Sequence, residues 1–420
     1  MRNDKVTPVV VLGGGIAGIT AALELSRAGL PAVLVEKSPF FGGLAASFGC
    51  KATDVCQKCG ACRVEQGLRD LWAAPGLTFY PHTELVDSRS ENGLLRLTLK
   101  SQPQVIDPQL CTNCGLCLEE CPVPGAMMSA ASAENHPRFA VNPAVCLHFK
   151  DGSCHRCQDI CPTQAIDLTR PETQTQLETQ SLIVATGYKP APPPARGDYT
   201  DYSLPNIITG WELEEMTREG GLLVRPSDGR PVRHLAFIQC VGSRDQEHPY
   251  CSRVCCAYGL RLARLVRHRW PEVRVTTFYM DLQNVGPDPQ EFEAAVRREI
   301  ELIRALPGDL TATADGSLRL RFLDEASGQG LFRVVDLLVL AVGIAPGPDN
   351  AKLAEMLHLK LDPDGFLKDG QEDIQAKAPG VFLAGTATGP QGILECIAQA
   401  TQSVRQVRQY LEAKTGNPVT

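Results

Sequence analysis

No stretch of this 420-residue chain stays apolar over the roughly 18 residues that a bilayer-spanning helix needs. A membrane span is therefore not expected. Basic charge is in deficit: 41 Lys and Arg stand against 48 Asp and Glu, for a net charge of −7. That balance argues against nucleic acid and anionic membrane surfaces as partners. Nor is a secretion signal expected. The N-terminal VTPVVVLGGGIAGI has the apolar length of a signal core, but its glycine spacing suits a dinucleotide turn better. Without a signal, a secreted disulfide-stapled protein is not expected, abundant as cysteine is. No residue set resembles a nucleophile–base pair or an acid–base dyad. A second α/β region ought to open on a glycine-rich turn, and there only Gly242 is present.

What the chain has in quantity is cysteine, 17 residues gathered in tight sets. Thiolates two residues apart suit one metal centre better than paired disulfides. The expected compartment is a reducing cytoplasm with little oxygen, with membrane association arising only through partner subunits. A hydrophobic fraction of 43% with 21% charged residues supports an ordinary core for two or three domains.

VVVLGGGIAGITAALELSRAGLPAVLVEK predicts strand, glycine turn, helix and a second strand ending at Glu36. Gly13-x-Gly15-x-x-Gly18 supplies a tight turn, close approach of a pyrophosphate and close helix packing. Glu36 is placed to accept the ribose hydroxyls. FAD is favoured over NAD by Gly42-Gly43, by the strand end Ala185-Thr186-Gly187, and by the Gly385-containing loop before a long helix from about Ile393. That helix would direct its N-terminal dipole at the flavin. Many two-domain flavoproteins carry Asp after the last-loop glycine; here it is Thr386. A hairpin is predicted over 84–100 with an Asn92-Gly93 turn. Strands are predicted at SLIVATGYKP, HLAFIQCVG, EVRVTTFYMDL and VVDLLVLAVG, with a loop at PAPPPARG.

CTNCGLCLEECP places Cys111, Cys114, Cys117 and Cys121 at the bacterial ferredoxin spacing, whose fourth cysteine serves the other cluster. A second run holds Cys146, Cys154, Cys157 and Cys161 with a stretched first gap. The crossed rule assigns Cys111, Cys114, Cys117 and Cys161 to one [4Fe–4S] cluster. It assigns Cys146, Cys154, Cys157 and Cys121 to the other. Zinc is the lesser alternative, and His148 and His155 are not needed as ligands. Cys50, Cys56, Cys59 and Cys62 form a further set, read as a cluster, with zinc or free thiols as alternatives. Cys240, Cys251, Cys255 and Cys256 form the last set, and their adjacent pair fits neither a ferredoxin loop nor a zinc knuckle. Cys396 is left over and is read as packing.

FIQCVGSRDQEHPYCSRVCC, together with the ferredoxin insert and TGYKP, resembles the A subunit of heterodisulfide reductase. It is similar too to the A subunit of the quinone-interacting membrane-bound oxidoreductase of sulfate reducers, with relatives in tungsten-type benzoyl-CoA reductase complexes. The resemblance runs from Val9 to the last helix. It implies that Cys240, Cys251, Cys255 and Cys256 hold an unusual [4Fe–4S] cluster close to FAD, in place of a nicotinamide phosphate loop. The short form is expected, without the extra N- and C-terminal iron–sulfur domains of the archaeal form. The family's lysine near the reactive flavin nitrogen falls at Arg261, which cannot give up its proton, so bifurcation or confurcation is left open.

The expected fold is α/β, a two-dinucleotide-domain, thioredoxin reductase-like flavoprotein with an inserted α+β bacterial 2[4Fe–4S] ferredoxin domain. The expected divisions are 1–105, 170–205 and 375–420 for the FAD-binding domain, 106–169 for the insert, and 206–374 for a second Rossmann-like domain. The expected function is that of an iron–sulfur flavoprotein subunit passing electrons between FAD and [4Fe–4S] clusters. Arg261 and Arg244 would stabilise reduced flavin. Partners would be heterodisulfide reductase B- and C-like, quinone-interacting or benzoyl-CoA reductase-type subunits, and ferredoxin. The rivals are a self-contained NAD(P)H-dependent reductase, with Asp281 at a ribose, and a scaffold or redox sensor without turnover.

Overall fold

Val9–Leu12 reads VVVL and is buried throughout, a pattern that suits a parallel strand covered on both faces. In the computed structural model of the chain it is the centre of a five-stranded parallel sheet. The structure describes residues 7–91, 93–191, 204–283, 289–325, 327–368 and 379–415. Across the sheet the order is Val381–Leu383, Leu182–Val184, Val9–Leu12, Ala32–Val35 and Leu77–Tyr80. Three distant parts of the chain thus meet in one sheet. The helices Ile16–Arg27 and Ile393–Thr415 cover one face through Ile19, Leu25, Val404 and Val407. A three-stranded antiparallel sheet, Thr83–Glu91, Leu94–Ser101 and Thr173–Thr179, covers the other, placing Leu85, Leu97 and Leu99 against Val10 and Leu12. The expected hairpin is present; Asn92 of its turn lies outside the described residues, as do residues 192–197 of the PAPPPARG loop and the expected division at 374/375.

Between Ser101 and Thr173 the chain forms the inserted unit. Its hairpin pairs Met127–Ser129 with Phe139–Val141, and its core gathers Val105, Ile106, Met127, Phe139, Val141 and Ile166. Asn135 pins the insert to the loop after Ala32–Val35: its amide accepts from Phe41 N at 2.9 Å and donates to Phe41 O at 3.0 Å. Trp72 adds a bond from its indole to Glu134 O at 2.7 Å.

The second parallel sheet runs Ile207–Thr209, Leu337–Val342, His234–Val241, Arg274–Phe278 and Glu301–Ile303. Three strands differ from expectation. SLIVATGYKP divides into Leu182–Val184 of the first sheet and Tyr188–Pro190, which pairs antiparallel with Ile344–Pro346. EVRVTTFYMDL keeps strand pairing only over Arg274–Phe278. VVDLLVLAVG breaks at Asp336, whose carboxylate accepts the amides of Arg233 and His234 at 2.8 and 2.9 Å. Before the break, Gly330–Val335 belongs to an antiparallel sheet with Leu318–Leu323 and Asp309–Ala312; after it, Leu337–Val342 joins the parallel one. The antiparallel sheet was legible in LRLRFL, which alternates between buried and exposed along its length. Among the described residues no helix is long and apolar enough to cross a membrane.

Candidate functional site

A cavity of about 620 Å³ opens where the two parallel sheets face each other. Gly13, Gly15, Glu36, Gly42, Gly43, Ala185, Thr186, Gly187 and Thr386 line it. Gly18 and Gly385 act from behind its wall. A Cβ on Gly18 would lie 1.7 Å from Gly13 O, and one on Gly385 would lie 2.7 Å from Ala17 Cβ. Gly15 is different. A Cβ there would meet no protein atom nearer than 3.9 Å, so its missing side chain leaves room in the cavity. Gly15 also caps the helix Ile16–Arg27, which has neither a side-chain cap nor an acidic residue in its first turn. Its N-terminal amides are thus available to a phosphate. Glu36 accepts from Gly14 N at 2.5 Å and from Ser38 N at 2.6 Å. Burial raises its carboxyl above the usual range, against these two bonds. Thr186 Oγ1 is buried on this wall without a hydrogen-bond partner. The open face at Gly15, the uncapped helix and the orphaned hydroxyl together fit the dinucleotide of FAD.

The expected helix begins at Ile393, and Gly392, Ile393, Glu395 and Cys396 line the cavity. Its first turn is not empty of charge. Glu395 accepts from Gly392 N at 2.8 Å and pairs with Arg253 at 2.6 Å. Arg253 stands at a positive φ of 59°, and it ties the second sheet's loop to Pro390 O at 3.2 Å. Sequence reading missed this bridge, which joins residues 142 positions apart. Cys396 is buried in the core and its Sγ lies 3.8 Å from where a Gly385 Cβ would be.

Arg261 lines the cavity and its Nε donates to Gln57 O at 3.0 Å. Burial lowers its guanidinium from the ordinary value, opposed by the Cys59 and Cys56 thiols. It therefore connects the cavity with the loop 50–62, whose Cys59 also lines the cavity while Cys50, Cys56 and Cys62 are exposed. Arg244 is placed elsewhere. It forms a fork on Asp281 at 2.6 and 3.1 Å and interacts with Cys240. The same fork occupies Asp281, the residue considered for a nicotinamide ribose.

Cys240, Cys251, Cys255 and Cys256 converge between the strand His234–Val241 and the helix Cys255–Arg269. Three non-glycine residues in or beside this loop, Cys240, Arg244 and Arg253, hold positive φ angles of 62°, 59° and 59°. Such strain collects at functional sites. Cys255 lines the cavity, and burial with the neighbouring Cys240 and Cys251 pushes its thiol up to about 12. Cys240, bonded by Cys256, is drawn down to about 7. Cys255 and Cys256 open a helix with no side-chain cap, yet both thiols are raised, Cys255 by burial and Cys256 by its bond to Cys240 and by burial.

In the insert, one small cavity is lined by Cys111, Cys114, Cys117 and Cys161 with Ile106 and Phe139. Another is lined by Cys121, Cys146, Cys154 and Cys157 with Met127 and Val141. Burial pushes Cys117 up to about 11, helped by Cys111 and Cys114, and Cys157 up to about 12, helped by Cys146, Cys117 and Cys121. Buried, mutually repelling thiols are what an iron–sulfur centre satisfies, because its positive iron deprotonates its ligands. Among the described residues no three His, Cys, Asp or Glu side chains close on a single ion; a cubane spreads its thiolates over four corners. His148 and His155 face each other at 4.9 Å between ring centroids.

Residues 8–100 match the family model described as FAD dependent oxidoreductase, and residues 105–124 match 4Fe-4S binding domain. The chain is 31% identical over 432 residues to the second iron-sulfur A subunit of the CoB--CoM heterodisulfide reductase of Methanopyrus kandleri, covering 98% of this chain and 66% of that protein. It is 32% identical over 419 residues to the A subunit of the H(2):CoB-CoM heterodisulfide,ferredoxin reductase of Methanothermobacter thermautotrophicus, covering 95% and 62%. The chain thus spans a little under two thirds of these relatives' length. Among solved structures, the T. acidophilum thioredoxin reductase superposes with a TM-score of 0.53 at 12% identity, over 99% of this chain and 100% of that one. The Lactococcus lactis thioredoxin reductase gives 0.53 and 12%, over 97% and 99%. The fold is the thioredoxin reductase-like, two-dinucleotide-domain flavoprotein fold with a 4Fe–4S ferredoxin domain inserted.

Proposed function

From the premise that the chain is an FAD oxidoreductase of the heterodisulfide reductase A type with a [4Fe–4S] domain, we propose that it is the electron-distributing subunit of a larger redox complex. FAD supplies two-electron exchange and the [4Fe–4S] clusters supply one-electron relay; the protein supplies position and electrostatics. Gly13, Gly15 and Gly18 with the helix Ile16–Arg27 hold the pyrophosphate, and Glu36 holds the ribose. Thr186 and Thr386 offer hydroxyls along the rest of the cavity. Cys111, Cys114, Cys117 and Cys161 hold one cluster, and Cys121, Cys146, Cys154 and Cys157 a second. Cys240, Cys251, Cys255 and Cys256 hold a third, and Cys50, Cys56, Cys59 and Cys62 a fourth. Arg261 bridges the cavity and the last of these sets.

The observation that carries this reading is the wall contributed by Cys255. A converging thiol set stands at the strand–helix junction where a nicotinamide phosphate turn would stand, and it opens onto the flavin cavity. The insert contributes Ser129 and Ala131 to the same cavity, so the unit that carries its clusters borders the flavin. Outward from the insert, the acceptors are partner redox subunits of the heterodisulfide reductase B and C, quinone-interacting or benzoyl-CoA reductase type, or ferredoxin. Any membrane contact belongs to those partners. The self-contained NAD(P)H reductase reading loses its acidic residue, because Arg244 occupies Asp281.

After anaerobic purification the chain is expected to hold one FAD and about sixteen iron atoms, four per cubane. Excess NADH is expected to leave the flavin absorbance unbleached for minutes, while a low-potential reduced ferredoxin bleaches it. Stoichiometric bleaching by NADH or NADPH, with iron for the insert alone, would overturn the proposal in favour of the self-contained reductase.

A further inference from the structure

We propose that the buried pair Lys51–Glu214 is an oriented charge pair that tunes the reduction of the flavin, with Lys51 turned to the cavity and Glu214 behind it. The proposal rests on reading the cavity as the FAD site. Both side chains are 2% exposed, and Lys51 Nζ donates to Glu214 Oε1 and to Gly49 O, the latter at 3.2 Å. Lys51 lies in the loop 50–62, whereas Glu214 lies on the helix Gly210–Glu219, which belongs to the second sheet. The ammonium also sits over Phe48 and Tyr258, 5.0 and 5.3 Å from their ring centroids. Phe48 in turn stacks on Trp211 at 4.8 Å.

Orientation is what gives the pair an effect. Lys51, Phe48, Trp211 and Tyr258 line the cavity, and Glu214 is not among its lining residues. The positive end of the dipole therefore faces the cavity. This is the end built by the second sheet's helices, whereas Glu36 and Ser38 mark the end built by the first sheet. With the ribose at Glu36, the redox-active ring occupies the end nearer Lys51. Glu214 Oε2 is buried without a hydrogen-bond partner. Burial raises the carboxyl above its usual range; Lys51 opposes that most, with Arg218 and the Gly49 amide adding to it. Stability does not account for such a pair. Packed apolar residues in place of a buried ion pair are often neutral or stabilising. A fixed cation facing the ring favours the form that has gained negative charge, and a low-dielectric wall strengthens that effect.

The test is an anaerobic redox titration of the bound flavin in the whole chain, with flavin and iron per chain measured on the same samples. Opposite shifts are expected. Glu214→Gln leaves the ammonium unbalanced and raises the affinity for reduced over oxidised flavin. Lys51→Met lowers it. Each change is on the order of tenfold, or about 30 mV for a two-electron couple. Lys51→Met/Glu214→Leu leaves no buried charge, keeps the fold, and shifts downward by less than Lys51→Met. Iron content separates these shifts from loss of a centre at the neighbouring Cys50. Shifts of the same sign in the two single variants, or no shift with one flavin per chain, overturn the proposal and leave the pair a structural tie. A wild-type chain free of flavin overturns the cavity reading itself.

Discussion

Gly15→Ala is expected to empty the flavin site while leaving the fold intact, and Gly18→Ala is expected to damage both. The two glycines share one motif, yet the structure gives them different duties. At Gly15 the backbone has φ −76°, which alanine adopts without strain, and an added Cβ meets no protein atom within 3.9 Å. The methyl group instead projects into the space reserved for the pyrophosphate, against the uncapped amides of the helix Ile16–Arg27. The apo form of this variant should unfold within about 0.5 kcal/mol of wild type. Its FAD affinity should fall at least about tenfold, a loss of about 1.4 kcal/mol. At Gly18 the added Cβ would lie 1.7 Å from Gly13 O and 2.9 Å from Gly13 C, both backbone atoms. Only displacement of the helix from the strand relieves that contact, at about 1–3 kcal/mol or more. Flavin extracted per chain and thermal unfolding of the apo forms separate the two. Full flavin occupancy in Gly15→Ala would mean that this turn does not cradle the phosphate.

The glycine turn at one end of the cavity was readable because its determinants are local. Gly13, Gly15, Gly18 and Glu36 fall within one βαβ stretch, where spacing alone dictates which residues share a turn. The cysteine runs of the insert are legible for the same reason. The residues that sequence reading missed are paired across the chain. Lys51 meets Glu214 163 positions away, and Arg253 meets Glu395 142 positions away. Nothing in the local pattern of either partner announces the other, since pairing depends on how the second sheet settles over the first. Arg244 shows the converse. Its position in a cysteine loop beside the expected flavin suggested a stabiliser, but Asp281, beyond the end of the next strand of the sheet, takes its guanidinium. Asp336 is a third instance: it sits inside an apolar run that reads as one strand. By accepting two backbone amides it instead separates an antiparallel strand from a parallel one.

Pairs of cysteine substitutions in the insert are expected to remove either one cluster or two, according to which cavity each thiol lines. Cys111 and Cys121 belong to one sequence run but to different cavities, whereas Cys111 and Cys161 lie 50 positions apart along the chain and line the same one. Cys111→Ala/Cys161→Ala should therefore lose about four iron atoms per chain relative to wild type, and Cys111→Ala/Cys121→Ala about eight. A run-by-run assignment gives the reverse. The geometry favours crossing because each run ends in a cysteine and a proline that carry the chain away from its own loop: Cys121-Pro122 and Cys161-Pro162. Pro122 joins Cys146, Cys154 and Cys157 at one cavity, and Pro162 joins Cys111, Cys114 and Cys117 at the other. Ile106 and Phe139 line one cavity and Met127 and Val141 the other, all within one apolar cluster. Hydration and hydrogen bonding around the sulfurs set cluster potentials, so substitutions confined to one cavity should leave the reduced-state electron paramagnetic resonance signal of the other cluster in place. Only its coupling to the missing neighbour should be lost. If Cys111→Ala/Cys121→Ala retained one intact cluster, each run would be serving its own centre, and the relay would have to be redrawn.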